Sequence, residues 1–210
     1  LWQANRHAQS SADFEKNNMV LGRYFSPNIK NEIEETGLNF SEYIPKNLNV
    51  AVLFTDIVGF TKLSEKMEPN DVLKLLSEYQ TIMVECIFEF NGTVDKFIGD
   101  AVMANFGTPK SYGNDAQNAF DCAKKMKLML HEWNKNRIDN RQKVIEHRIG
   151  IHYGECIVGN VGGEKRVEYT VLGDTVNVAS RLCDLSKNFN NDLLISEALY
   201  NQIEIIEEYE

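Results

Sequence analysis

Regular patterning begins near residue 49. Residues 49–56, NVAVLFTD, are apolar in near succession, which predicts a strand buried on both faces. A helix is expected from Gly59. A second has Pro69 in its first turn and Val72, Leu73, Leu76, Tyr79, Met83 and Ile87 at helical spacing. GTVDKFIGDAVMANFG (92–107) predicts a hairpin turning at Gly99-Asp100. Residues 114–135 carry Ala116, Ala119, Phe120, Ala123, Met126, Leu130 and Trp133 on one helical stripe. HRIGIHYGECIVGNVG (147–162) reads as a pair of strands around Gly154. EYTVLGDTVNVASRL (168–182) reads as a strand, a turn at Gly173 and a helix over 174–187 with Asp174 as its N-cap. A strand at 192–195 and a terminal helix follow. Upstream, 36–48 read as loop, 23–35 as a turn at Pro27 and a short helix, and 1–22 as a marginal helix with sparse apolar positions. This order predicts an α+β fold whose helices pack mainly on one face of a sheet.

The 210 residues suffice for one domain with a full core plus an extension. A formal charge of −9 argues against a nucleic-acid binder, which needs a basic face. It leaves room for a single nucleotide, because bound metal ions can reverse the local field. Cys86, Cys122, Cys156 and Cys183 show no C-x-x-C pair and read as buried small hydrophobes in a reducing cytoplasm. No membrane span or signal peptide is visible. The chain opens on Leu1, so it reads as a piece of a longer protein whose remainder is either soluble or membrane-anchored.

Two carboxylates stand where sheets place chemistry. Asp56 ends the buried strand and Asp100 occupies the hairpin turn. After Asp56 the chain starts a helix, so backbone N–H groups of Gly59, Phe60 and Thr61 would face what the carboxylate holds. A metal-bound phosphate fits: the carboxylate takes the cation and the N–H groups take the anion. Two aspartates without histidine or thiolate suit Mg²⁺ or Mn²⁺ rather than zinc. Asn177 and Arg181, four apart, share one face of the 174–187 helix and do not belong to its apolar side.

FTDIVGFTKLSE, DKFIGDAVMANFG and YTVLGDTVNVASRL, in this order and spacing, resemble the catalytic domain of class III nucleotidyl cyclases over about residues 49–203. GRYFS (22–26) is also similar to the segment that joins such domains to upstream sensors. The resemblance implies a ferredoxin-like, palm-like, antiparallel-rich sheet and a head-to-tail homodimer with two composite sites. It implies conversion of ATP to cyclic AMP and pyrophosphate with two Mg²⁺ or Mn²⁺ ions per site. Asp56, Asp100 and the carbonyl of Ile57 would hold the metals. Arg181 would place its fork on the α-phosphate, and Asn177 would orient the ribose through its ring oxygen. Lys96 and Thr170 would read the base. An ammonium donates to adenine N1 and a hydroxyl can accept from the 6-amino group, whereas the N1–H of guanine would oppose the lysine. A threonine at that position resembles the bicarbonate-responsive subclass, which makes bicarbonate a candidate regulator.

Lys165 and Arg166 are looser candidates for phosphate contacts. Family members usually continue into a hairpin bearing a lysine that touches the triphosphate. The chain ends at IEIIEEYE, so that hairpin is expected to be missing. The expected organisation is an N-terminal linker from an upstream region (1–22), a connecting segment (23–48) and a cyclase domain (49–210). Competing readings are a guanylate cyclase, a catalytically inactive nucleotide-binding regulatory homologue, and a dimerisation module resting on residues 1–22.

Overall fold

The structure, a computed structural model, describes residues 26–36, 44–163, 166–189 and 192–204. The linker over 1–22, residues 23–25 and 37–43 of the connecting segment, and Lys165 lie outside the described residues. Helix α1 (Pro27–Thr36) has Pro27 in its first turn, and Ser26 ties it to the sheet through bonds with the Val94 backbone. Strand β1 (Lys46–Ile57) begins three residues earlier than its apolar run. It sits in the middle of a sheet ordered β2-β3-β1-β4-β5, with β2 at Thr93–Ile98, β3 at Ala101–Phe106, β4 at His147–Gly163 and β5 at Arg166–Leu172. All four neighbouring pairs are antiparallel, and the short β6 (Leu193–Ile195) adds to β4 in parallel.

Alternation along β1 divides the core. Ala51, Leu53 and Ile57 face the two long helices, α3 (Pro69–Glu89) and α4 (Asp115–Asp139), through Tyr79, Met83, Ile87, Ala119, Ala123 and Met126. Val50, Val52 and Phe54 face the other way, where α5 (Asp174–Leu185) contributes Val176, Ala179 and Cys183. The long helices thus cover one face as expected, and one short helix lies on the other. Shorter helical pieces are α2 (Phe60–Ser64) and α6 (Glu197–Tyr200).

Both long helices end in a Schellman motif. After α3, Gly92 N–H reaches the Ile87 carbonyl and Asn91 N–H that of Phe88, with Asn91 at φ 59°. After α4, Gln142 N–H reaches Arg137 and Arg141 N–H reaches Ile138. Gly92 must be glycine for space: a Cβ there would lie 2.7 Å from both Ile87 and the Phe106 ring.

Two expectations are corrected. Residues 147–162 are one long strand, because β1 pairs with β4 from His147 through Val158 without a break. Gly154 marks a close approach, not a turn: its Cβ would meet Thr175 Oγ1 at 2.7 Å. Gly150, on the same strand face, would place a Cβ 2.2 Å from the backbone nitrogen of Cys183. These two glycines form a bare track on which α5 rests. Asp174 is the first helical residue and not the N-cap; that place belongs to Gly173, at φ 144°, a conformation side chains avoid. Among the described residues, no helix is long and apolar enough to cross a membrane. All four cysteines are buried and unpaired, as expected.

Candidate active site

Asp56 and Asp100 come from different strands and meet. β1 delivers Asp56 at its end, and the β2–β3 turn, with Gly99 at φ 63°, swings Asp100 back over it. The Asp100 carboxyl acts on that of Asp56, and Asp100 Oδ2 accepts from Ile57 N–H at 3.1 Å. Burial first, then the hydrogen bonding and charge of Asp100, push the Asp56 carboxyl up to about 7, against the pull of Arg148. Two acids crowded at one strand end, with oxygen donors only, fit a hard divalent cation such as Mg²⁺ or Mn²⁺. Among the described residues no cluster of three or more His, Cys, Asp or Glu offers an alternative cage. Next to the pair, Gly59 caps α2 at φ 68°, and the first-turn N–H groups of Phe60 and Thr61 lack intrahelical acceptors.

Asp56 gives a pH dependence with a definite sign. Its folded value near 7 exceeds the ordinary 3.8, so the metal-free folded chain binds a proton that the unfolded chain releases. The stability this contributes is full below 3.8 and lost as pH rises through about 7. Metal-free protein should therefore melt lower at pH 8 than Asp56→Asn does, by a few degrees at roughly 2–4 °C per kcal/mol. The gap should close at pH 5. Mn²⁺ should raise the melting temperature of the wild type but not of the variant. Parallel pH–Tm curves for the two proteins would refute this account.

Arg148 was not singled out by sequence. It lies directly across from Asp56 in the β1–β4 ladder, and its Nη1 is buried without a hydrogen-bond partner among the described residues. No local pattern marks it, since it sits inside an apolar strand. A cleft of about 930 Å³ opens beside it, lined also by Val58, His147, Lys187 and Asp192. That cleft takes in none of the other candidate residues. His147 itself is buried and held down to about 4 by burial, so it is neutral.

A second cluster forms where β5 meets β2. The ladder shifts between Val94 and Lys96, leaving Asp95 out of register. Asp95 is wholly covered and accepts from Thr170 Oγ1 at 2.8 and 2.9 Å and from Val171 N–H at 3.2 Å. Lys96 lies 3.5 Å from Asp95 and 3.1 Å from Glu168, which also pairs with Arg166. Burial opposes the Lys96 charge, yet Glu168 and Asp95 outweigh it and hold the ammonium above its ordinary range. Lys96 and Thr170 are therefore neighbours, joined by a residue that the sequence reading passed over. Arg166 points into solvent beside them, 84% exposed.

Asn177 and Arg181 stand one turn apart on the face of α5 opposite Ala179 and Cys183, both exposed. Among the described residues neither makes a hydrogen bond or ion pair with the protein. Two polar groups on a rigid helix, aimed outward and unspent, are available to a ligand.

Residues 42–208 match the model of the adenylate and guanylate cyclase catalytic domain. The chain is 33% identical over 190 residues to adenylate cyclase 1 of Rhizobium meliloti (strain 1021), covering 82% of this chain and 29% of that protein. Among solved structures it resembles the adenylyl cyclase CyaB from P. aeruginosa, with TM-score 0.68, 36% identity, and coverage of 76% and 82% of the two chains. It also resembles the guanylyl cyclase Cya2, with TM-score 0.69, 34% identity, and coverage of 75% and 79%. The chain belongs to the class III adenylate and guanylate cyclase catalytic-domain family. It spans about a third of the length of the curated relatives it matches.

Proposed function

We propose that this domain is an adenylate cyclase, acting on ATP at composite sites between two copies of the chain. The observation that carries the choice of nucleotide is the Lys96–Asp95–Thr170 cluster, which sets an ammonium beside a hydroxyl in one protomer. These match the N1 acceptor and 6-amino donor of adenine. In the reaction a bond forms between the ribose 3′-oxygen and the α-phosphorus. The bond from that phosphorus to pyrophosphate breaks, and the hydroxyl proton is released. Divalent cations, held by Asp56, Asp100 and the Ile57 carbonyl, would supply Lewis acidity and neutralise phosphate charge.

The remaining work falls to side chains and backbone. Arg181 offers a planar fork to the α-phosphate as charge gathers there, and Asn177 donates to the ribose ring oxygen. N–H groups of Gly59, Phe60 and Thr61, with the unpaired Arg148 nitrogen, take the outer phosphates. Lys165 and Arg166 are secondary candidates for that role. Asn177 and Arg181 are exposed and lie outside the cleft beside Arg148, which supports a site completed by a second chain. Exposed apolar residues at the hairpin tip (Phe97, Ile98) and on the β4–β5 ribbon (Ile157, Val161, Val167, Leu172) supply surface for that contact. We place the domain in the cytoplasm, downstream of a sensor, with bicarbonate as a candidate regulator.

A guanylate cyclase is the second reading, favoured by the likeness to Cya2. Purified domain at concentrations where it is dimeric, with Mn²⁺ and either ATP or GTP, should yield cyclic AMP from ATP alone. Cyclic GMP would keep the sites and overturn the base assignment. No cyclic product from either nucleotide would sink the enzymatic reading.

A further inference from the structure

The hydroxyl of Thr170 has one proton, and the structure shows where it goes. Both Asp95 oxygens lie within 2.9 Å of Thr170 Oγ1. The other neighbours of that carboxylate are donors as well: Val171 N–H at 3.2 Å, Asn105 Nδ2 at 3.5 Å and Lys96 Nζ at 3.5 Å. A carboxylate ringed by donors accepts, so Thr170 must donate to it. Thr170 is only 4% exposed, and its orientation is fixed from inside the protein.

We infer that Asp95 is a specificity-determining positioning residue: by consuming the Thr170 proton it leaves that oxygen able only to accept from a purine. A free threonine hydroxyl would tolerate either substituent at purine C6, donating to an oxo group or accepting from an amine. Held by Asp95, it accepts the 6-amino group and faces a 6-oxo oxygen with lone pairs alone, an unmatched contact. Lys96 meets the same carboxylate, so one buried acid orients both groups that face the base. This rests on the reading of Lys96 and Thr170 as base contacts.

The test compares ATP with purine riboside triphosphate, which keeps the N1 acceptor and lacks the 6-amino group. In the wild type, kcat/KM should favour ATP by about 3–10-fold, the worth of one neutral hydrogen bond. Asp95→Asn should keep that preference, since a freed hydroxyl still accepts from the 6-amino group, and should raise turnover of inosine triphosphate relative to ATP, because the amide can donate to Thr170 and free its proton. Thr170→Ala should abolish the preference for ATP over purine riboside triphosphate, and adding Asp95→Asn to it should change neither ratio further. Asp95→Ala serves as a second variant if the asparagine protein fails to fold. An unchanged ratio of inosine triphosphate to ATP turnover in a folded Asp95 variant would make Asp95 merely structural and overturn the inference. A preference that survives Thr170→Ala would instead remove the base-contact reading, and the role of Asp95 with it.

Discussion

Arg181→Ala is expected to lower kcat for cyclic AMP formation about 10²–10³-fold, with a much smaller change in KM. The magnitude is that of one preorganised donor facing charge that develops in the transition state. The side chain is exposed and makes no bond within the described residues, so its loss should leave the melting temperature unchanged. Arg181→Lys should recover part of the rate only, because an ammonium lacks the planar two-pronged geometry. A rise in KM at constant kcat would show that Arg181 holds substrate and transition state equally, and would refute the role assigned to it.

The second large effect is complementation. Asp56→Ala and Arg181→Ala proteins should each be nearly inactive alone. Mixed in equal amounts and allowed to exchange, half of the dimers carry both chains. Each such dimer has one of two sites intact, so activity should return to about a quarter of wild type. Cross-linking of the mixed dimers should scale with the recovered rate. A mixture no more active than the sum of its parts would place the whole site within one chain.

Much of this was legible locally. Asp56 ends an apolar run and Asp100 fills a Gly-Asp turn, so each stands out against its own neighbours. Asn177 and Arg181 stand together off the apolar side of a short helix. Arg148 and Asp95 were not legible, because what makes them significant is register. Arg148 matters by lying opposite Asp56 across 92 residues of chain, and Asp95 by falling at a ladder shift that turns it toward β5. Gly154 shows the same limit in reverse: a glycine between apolar stretches reads as a turn until the helix above it is seen. Asp174 had the chemistry of a cap, but the sharp backbone at Gly173 took the position.

The bare track of Gly150 and Gly154 bears on how such a site could be switched. At Gly150 α5 meets the sheet backbone to backbone, and at Gly154 only the Thr175 side chain intervenes, so the helix cannot settle closer. The height of Asn177 and Arg181 above the sheet is therefore a fixed dimension. An incoming signal cannot adjust it by repacking a few rotamers. The adjustable quantity is the gap between two such rigid halves, so regulation of a composite site would act as a caliper does, by sliding one jaw relative to the other.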